Sequence, residues 1–169
     1  REMVELDADT LKRAKEEIRV VRGLFIRPAG YSLWRGRWIR PVAGTIVSSF
    51  GRRSIINGME RSPHSGVDLK AEEGTPVKTT NGGKVALVAD HFFSGLSVFI
   101  DHGGGIQSMY FHLSQVFVQV GQVVEKGATV GLSGSSGRVT GPHLHFGIRL
   151  NGERVNPINL IEISGGLER

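Results

Sequence analysis

Residues 84–111, KVALVADHFFSGLSVFIDHGGGIQSMYF, alternate short β-prone segments with turn residues. Three candidate strands lie in this stretch, at residues 84–88, 96–101 and 106–111, and glycine-containing turns separate them. The turns leave no room for a helix between consecutive strands, so the strands are expected to pair antiparallel. The stretch therefore predicts an antiparallel β-sheet.

The same pattern continues on both sides of this stretch. Further candidate strands lie at residues 45–50, 67–69, 77–80, 116–120, 129–132 and 143–150. Asn151-Gly152 predicts a tight turn after the last of them, and residues 155–161 are expected to close the domain with a short helical turn after Pro157. The 24 glycines against 6 prolines fit a fold with many tight turns. We therefore expect a mainly β, sandwich-like domain.

The segment that precedes these strands has a different pattern. Residues 7–22 predict a helix, because Leu11, Ala14, Ile18 and Val21 recur on one face. Residues 23–41 predict an irregular connection. We expect three parts: an N-terminal helix and linker at 1–40, which could be the remnant of an upstream domain, a β domain at 41–161 and a tail at 162–169.

Composition limits the classes of function. Hydrophobic residues make up 39% and charged residues 22%, which is typical of a globular domain and excludes wholesale disorder. The net charge of +5 favours an anionic partner, but dispersed Lys and Arg argue against nucleic acid. The absence of Cys excludes disulfides and thiolate metal sites, and no apolar stretch is long enough for a membrane span. Because the chain starts at Arg1, we expect a processed form without its signal peptide or anchor.

The histidines carry the functional signal. His143 and His145 alternate with Leu144, so in a strand both imidazoles face the same side, roughly 6–7 Å apart. His64 and Asp68 are four residues apart around a turn, and His112 ends a candidate strand. Two histidines and one carboxylate make a three-ligand Zn²⁺ set with an open position for water. The remaining histidines would then be available for proton transfer.

The expected β domain contains ordered motifs at residues 41–44, 49–52, 64–68, 74–77, 83–85, 110–114, 141–146 and 156–157. Through these motifs, residues 41–161 resemble the LytM/lysostaphin-type metallopeptidases, peptidase family M23. The resemblance implies zinc ligands at His64, Asp68 and His145, with one Zn²⁺ per chain, and catalytic histidines at His112 and His143. It implies a groove in an antiparallel sheet of the duplicated-hybrid-motif type. The expected groove walls are the loops at 53–63, 91–95, 103–105 and 134–141.

The resemblance also implies a function. It predicts a zinc-dependent endopeptidase that hydrolyses peptide cross-links of bacterial peptidoglycan, of the D-alanyl–diaminopimelate type, through a zinc-activated water. The expected partners are peptidoglycan peptide stems and an upstream inhibitory or regulatory domain. The expected location is the bacterial cell envelope, periplasmic or extracellular.

One departure and two alternatives accompany this interpretation. Many family members have a carboxylate where this chain has Gly147, so a partner that orients the site would have to come from elsewhere. The first alternative is a catalytically silent LytM-like module that activates other wall hydrolases, but all five expected residues are retained. The second is a carrier or phosphotransfer domain. Lys126 lacks the neighbours of a modified lysine, and such domains do not use a carboxylate with a His-x-His pair.

Overall fold

A computed structural model describes residues 6–24 and 31–167. Its elements, in chain order, are α1 (Ala8–Leu24), β1 (Ile46–Ser48), β2 (Ile55–Ile56), β3 (Met59–Glu60), β4 (Val67–Leu69), β5 (Pro76–Lys78), β6 (Gly83–His91), β7 (Gly95–Gly103), β8 (Ile106–Val116), β9 (Val123–Val124), β10 (Thr129–Ser133), β11 (Leu144–Leu150), β12 (Glu153–Val155) and α2 (Pro157–Ser164). The predicted helix at 7–22 and closing helix at 155–161 are confirmed, each with shifted ends. Residues 25–30 of the predicted linker lie outside the described residues.

Most of the described strands form one antiparallel sheet. Its order is β1-β4-β11-β8-β7-β6-β9, with β12 paired to β11 and β10 paired to both β8 and β5. The short hairpin β2–β3 stands apart from this sheet. The prediction of a mainly β, antiparallel domain with a preceding helix is therefore confirmed.

Strand β11 shows how the sheet separates core from site. Leu144, Phe146 and Ile148 are buried in the hydrophobic core that also holds Tyr110 and Val98. Side chains alternate along a strand, so His145, Gly147 and Arg149 lie on the opposite face. One face of the sheet therefore supplies stability, and the other is free to carry chemistry.

The strand predictions need correction in three respects. Residues 116–120 do not form a separate strand. Strand β8 runs past residue 111 and ends at Val116, and residues 117–120 lie outside any strand. His143 lies just before β11 and not within it. The sequence pattern also missed β2, β3, β9 and β12, each two or three residues long.

The segment after the undescribed residues packs on the sheet. The backbone N–H of Leu33 donates to the His102 carbonyl at 2.8 Å, and Trp38 is 3% exposed with its ring edge-on to His102. Gly103 has φ +79°, and a Cβ there would lie 1.7 Å from the Tyr31 carbonyl oxygen. Residues 103–105, which were predicted to wall the groove, lie at the other end of the β7–β8 hairpin from His112.

Helix α1 contacts the sheet through a few polar contacts. Arg13 donates to the Asp90 carbonyl at 3.0 Å, and the Glu17 carboxylate accepts from the backbone N–H of Phe92 at 3.0 Å. Gln107 donates to the carbonyl of Leu24 at 3.0 Å. These contacts tie the middle and the C-terminal end of the helix to the sheet. Within residues 6–24 and 31–167, no helix combines the length and apolar character needed to cross a membrane.

Candidate metal centre

Two adjacent strands and one loop bring together a cluster of potential ligands. Asp68 on β4 and His145 on β11 are direct cross-strand partners, and His64 lies in the loop that leads into β4. Gly66 lies between His64 and Asp68, and a Cβ there would be 2.8 Å from His145 Nε2. Glycine at this position therefore lets the loop pass close to the imidazole.

The three ligand atoms form a small triangle. Asp68 Oδ1 lies 2.9 Å from His145 Nδ1 and 3.3 Å from His64 Nε2, and the two nitrogens are 3.2 Å apart. A tetrahedral zinc site with bonds of about 2.0–2.1 Å has ligand atoms roughly 3.3 Å apart. The triangle and its nitrogen and oxygen donors therefore fit Zn²⁺, and they leave one face open.

The surroundings of His64 and Asp68 favour the tautomer and the ionised form that can bind a cation. His64 Nδ1 lies 3.1 Å from the Ser49 carbonyl, which can only accept, so the Nε2 lone pair faces the triangle. Burial raises the pKa of Asp68, but the neighbouring imidazoles of His145 and His64 outweigh that effect and hold the pKa well below its usual range. The carboxylate is therefore ionised at neutral pH and available to a metal.

His112 reaches the site through a break in its strand. It has φ +63°, in the left-handed region that is uncommon for residues other than glycine. At this residue β8 leaves β11, whose pairing ends at Phe111, and joins β10, whose pairing begins at Leu113. This irregularity turns the imidazole toward the ligand triangle, and such backbone strain is characteristic of functional sites.

His112 and His143 form a pair beside the triangle. Their ring centroids are 5.0 Å apart, and His143 Nε2 lies 3.6 Å from Asp68 Oδ1. The Nδ1 atoms are close to carbonyl oxygens of Ser136, at 2.8 Å, and Gly141, at 3.0 Å. Each Nδ1 therefore donates its proton to a carbonyl, and each Nε2 keeps a free lone pair. Burial lowers the pKa of His112 to about 4, so the imidazole is neutral at pH 7.

The structure thus brings all five sequence-predicted site residues together. It also shows contributors that sequence reasoning missed. Phe111 stacks on His145 with ring centroids 5.1 Å apart, and the Ser136 hydroxyl donates to the Leu113 carbonyl while accepting from the N–H of Leu96. The only sequence signal for Ser136 was its place in the glycine-rich loop at 134–141.

A cavity of about 300 Å³ extends from the triangle along the sheet to α1. Its floor includes His145, Met109 and Phe111, and α1 lines the side opposite the sheet. Its rim carries three arginines, at positions 22, 149 and 154. Because His145 belongs to both, the cavity adjoins the ligand triangle.

An antiparallel sheet with a His-Asp-His triangle and two further imidazoles defines the metallopeptidase class. Comparison with known proteins gives the family: the family profile described as Peptidase family M23 matches residues 62–157. The chain belongs to peptidase family M23, as the sequence motifs predicted.

Individual relatives agree with this assignment. Peptidoglycan DD-endopeptidase ShyA of Vibrio cholerae is 42% identical over 112 residues, which cover 66% of this chain and 26% of that protein. A Pseudomonas aeruginosa structure described as an M23 peptidase superposes with a TM-score of 0.82 at 38% identity, covering 92% of this chain and 64% of that one. The chain thus spans about a quarter of the length of ShyA.

A zinc-containing peptidase from Vibrio cholerae superposes with a TM-score of 0.68 at 34% identity, over 72% of this chain and 39% of that one. Together with the family and the triangle of ligand atoms, this neighbour confirms the prediction of zinc as the cofactor.

Proposed function

We propose that the chain is a zinc-dependent endopeptidase that hydrolyses peptide cross-links of bacterial peptidoglycan, of the D-alanyl–diaminopimelate type, in the cell envelope. The observation that carries the proposal is the His64–Asp68–His145 triangle beside the imidazoles of His112 and His143 in an M23 chain. The name of the relative ShyA, a peptidoglycan DD-endopeptidase, supports both the substrate and the bond between D-residues. The catalytic unit in this proposal is residues 41–161.

His64, Asp68 and His145 would hold the metal. A zinc ion held there supplies a Lewis acid that activates water and polarises a carbonyl oxygen. The ligand atoms are already oriented, because Ser49 fixes the tautomer of His64 and Phe111 stacks on His145. Little rearrangement is therefore needed to bind the ion.

His112 and His143 would move the protons. Both present Nε2 with a free lone pair, because Nδ1 donates to a backbone carbonyl. One imidazole can take a proton from water, and the pair can return a proton to the leaving amine. The carbonyls of Ser136 and Gly141 stabilise the imidazolium that forms, in the role that a carboxylate often has. These two carbonyls are candidates for the orienting partner that Gly147 does not provide.

The test separates metal binding from proton transfer. In the purified chain, we expect about one zinc per chain and chelator-sensitive release of cross-linked peptides from diaminopimelate-type sacculi. Asp68→Ala should lose the metal. His112→Asn, which tolerates the left-handed backbone, should keep the metal but lose roughly 10²–10⁴-fold in rate. Loss of zinc from His112→Asn would contradict the ligand assignment.

The silent-module alternative makes a different prediction. It expects no cleavage of sacculi by the chain, and stimulation of a second wall hydrolase that does not depend on His112 or His143. The retention of all five side chains in one converging site favours the enzyme.

A further inference from the structure

Three arginines from three elements meet at the end of the cavity farthest from the ligand triangle. Arg22 lies in the last turn of α1, Arg149 on β11 and Arg154 on β12, and all three line the cavity. Arg149 is partly buried, whereas Arg22 and Arg154 are exposed. The cluster is therefore both fixed by the fold and open to a ligand.

This arrangement concentrates positive charge. Arg149 and Arg154 are direct cross-strand partners in the β11–β12 hairpin, and like charges directly opposite one another are destabilising. Burial and the charges of Arg154 and Arg22 together lower the pKa of Arg149 to about 10, against an opposing effect of Glu153. Burial and the charge of Arg22 also lower the pKa of Arg154. An anion placed among these three groups would relieve their mutual repulsion.

Glu17, the acid among the described residues that line the cavity, is engaged in other contacts. Glu17 accepts from Arg13 at 2.7 Å and from the N–H of Phe92 at 3.0 Å. Among the described residues, no carboxylate lies within ion-pair distance of Arg22 or Arg154. Arg149 is held in place by its donation to the Gly152 carbonyl at 3.0 Å. The guanidinium groups of Arg22 and Arg154 therefore line the cavity without a carboxylate partner among the described residues.

The floor between the cluster and the triangle is open. Gly147 lies between His145 and Arg149 on the same face of β11, and a Cβ there would already meet Met109 at 3.0 Å. The Cα atoms of His145 and Arg149 are roughly 13 Å apart along the strand. A peptide whose scissile bond lies at the triangle would therefore reach the arginines with a group some residues away.

We propose that Arg22, Arg149 and Arg154 form a subsite for a carboxylate of the peptide substrate, at a distance from the scissile bond; this subsite rests on the proposed endopeptidase function. The guanidinium fork matches the geometry of a carboxylate and binds it through paired charge-assisted hydrogen bonds. The subsite selects peptides with free carboxylates over the same peptides in amidated form.

The experiment measures binding apart from cleavage. A synthetic D-alanyl–diaminopimelate cross-linked peptide is prepared with its carboxylates free and with all of them amidated. Calorimetry then gives the affinity of each form for zinc-loaded His112→Asn protein, in which turnover is slowed. We expect the free form to bind roughly tenfold more tightly, which is the loss typical of one charge-assisted hydrogen bond.

Charge-matched variants in the same background give the control. Arg154→Gln and Arg22→Gln should each remove most of the preference for the free form. Arg19→Gln removes the same charge from an exposed pair with Glu16 and should keep the preference. Because Arg22 and Arg154 are exposed, folding of these variants should be unaffected, which thermal unfolding checks.

The outcomes separate the two proposals. Equal binding of the two peptide forms, or equal weakening by Arg19→Gln and Arg154→Gln, would overturn the subsite. An Arg154-dependent preference together with no cleavage of either peptide by the unsubstituted chain would support the subsite and count against the endopeptidase. Cleavage by the unsubstituted chain, together with equal affinity for the free and amidated peptides, would support the endopeptidase and count against the subsite.

Discussion

At the scale of single residues, the sequence motifs identified which side chains meet but not how they meet. His64, Asp68 and His145 converge because β4 and β11 are neighbours. The alternation around Leu144 predicted that His143 and His145 share a face, but only the family resemblance indicated this ligand set. The position of His112 depends on a left-handed residue at which β8 changes partner. No local pattern around Tyr110 and Phe111 indicates such a break, because it is set by pairing with strands distant in the sequence.

His102 allows a test of how a buried imidazole affects stability. It is fully buried, and its ring nitrogens lie 2.6 Å from the Gly82 carbonyl and 2.7 Å from the Ser108 hydroxyl. Burial lowers its pKa from 6.5 to about 4. The unfolded chain therefore binds more protons than the folded chain between these values, and stability falls as pH falls through this window. Between about pH 7.5 and about pH 5, His102 should therefore lower the free energy of unfolding by about 2 kcal/mol.

The measurement is the free energy of unfolding in denaturant across this pH range, on metal-free protein. His102→Gln removes the titrating group and should give a shallower slope with pH, whatever its absolute stability. The metal-site histidines titrate in both proteins, so the difference between the two slopes isolates His102. Parallel slopes would mean that His102 binds protons equally in the folded and unfolded chains, and therefore that burial does not lower its pKa.

At the scale of elements, the sequence predicted the longer strands and missed the shortest. Strands β6, β7, β8 and β11 have seven to eleven residues, and their alternation shows in the sequence. The two-residue strand β9 exists only because it pairs with the start of β6, which no local propensity encodes. Residues 116–120 show the converse: Val118 is buried and Val120 is exposed, yet most of the segment has no ladder partner.

Helix α1 offers an element-scale prediction. It has one buried residue among those described, Ala14, so packing contributes little to its attachment. The hydrogen bond from Phe92 N–H to the Glu17 carboxylate, at 3.0 Å, is a charge-assisted contact to the sheet. Removing it in Glu17→Ala should increase amide hydrogen exchange in α1 by roughly tenfold or more, since such bonds contribute about 1.5–3 kcal/mol.

Glu16→Ala is the matched control, because within the described part of the chain Glu16 pairs only with Arg19, on the exposed side of the helix. Exchange in β8 and β11 should be the same in both variants, which shows that the sheet itself is intact. Equal exchange of α1 in Glu17→Ala and Glu16→Ala would indicate that α1 is held by its apolar face and by Arg13 instead.

At the scale of the whole molecule, net charge is the property that acts beyond the site. The chain carries 21 Lys and Arg against 16 Asp and Glu, which gives +5. Such an excess attracts an anionic polymer at long range, and salt screens the attraction, since the Debye length falls from about 10 Å at 0.1 M to about 3 Å at 1 M. We therefore expect the fraction of protein molecules that sediment with peptidoglycan sacculi to fall severalfold as sodium chloride rises from about 0.1 M to about 1 M.

The same series of sodium chloride concentrations distinguishes long-range attraction to the wall polymer from the hydrolysis step itself. Hydrolysis of the soluble cross-linked peptide in fully amidated form should change by no more than about twofold, because the substrate carries no carboxylate for the field of the protein to attract. A parallel fall in sedimentation and in hydrolysis of the amidated peptide would mean that salt acts on the folded site or its metal. Sedimentation that does not respond to salt would mean that contacts in the groove, and not the charge of the molecule, hold it to the wall.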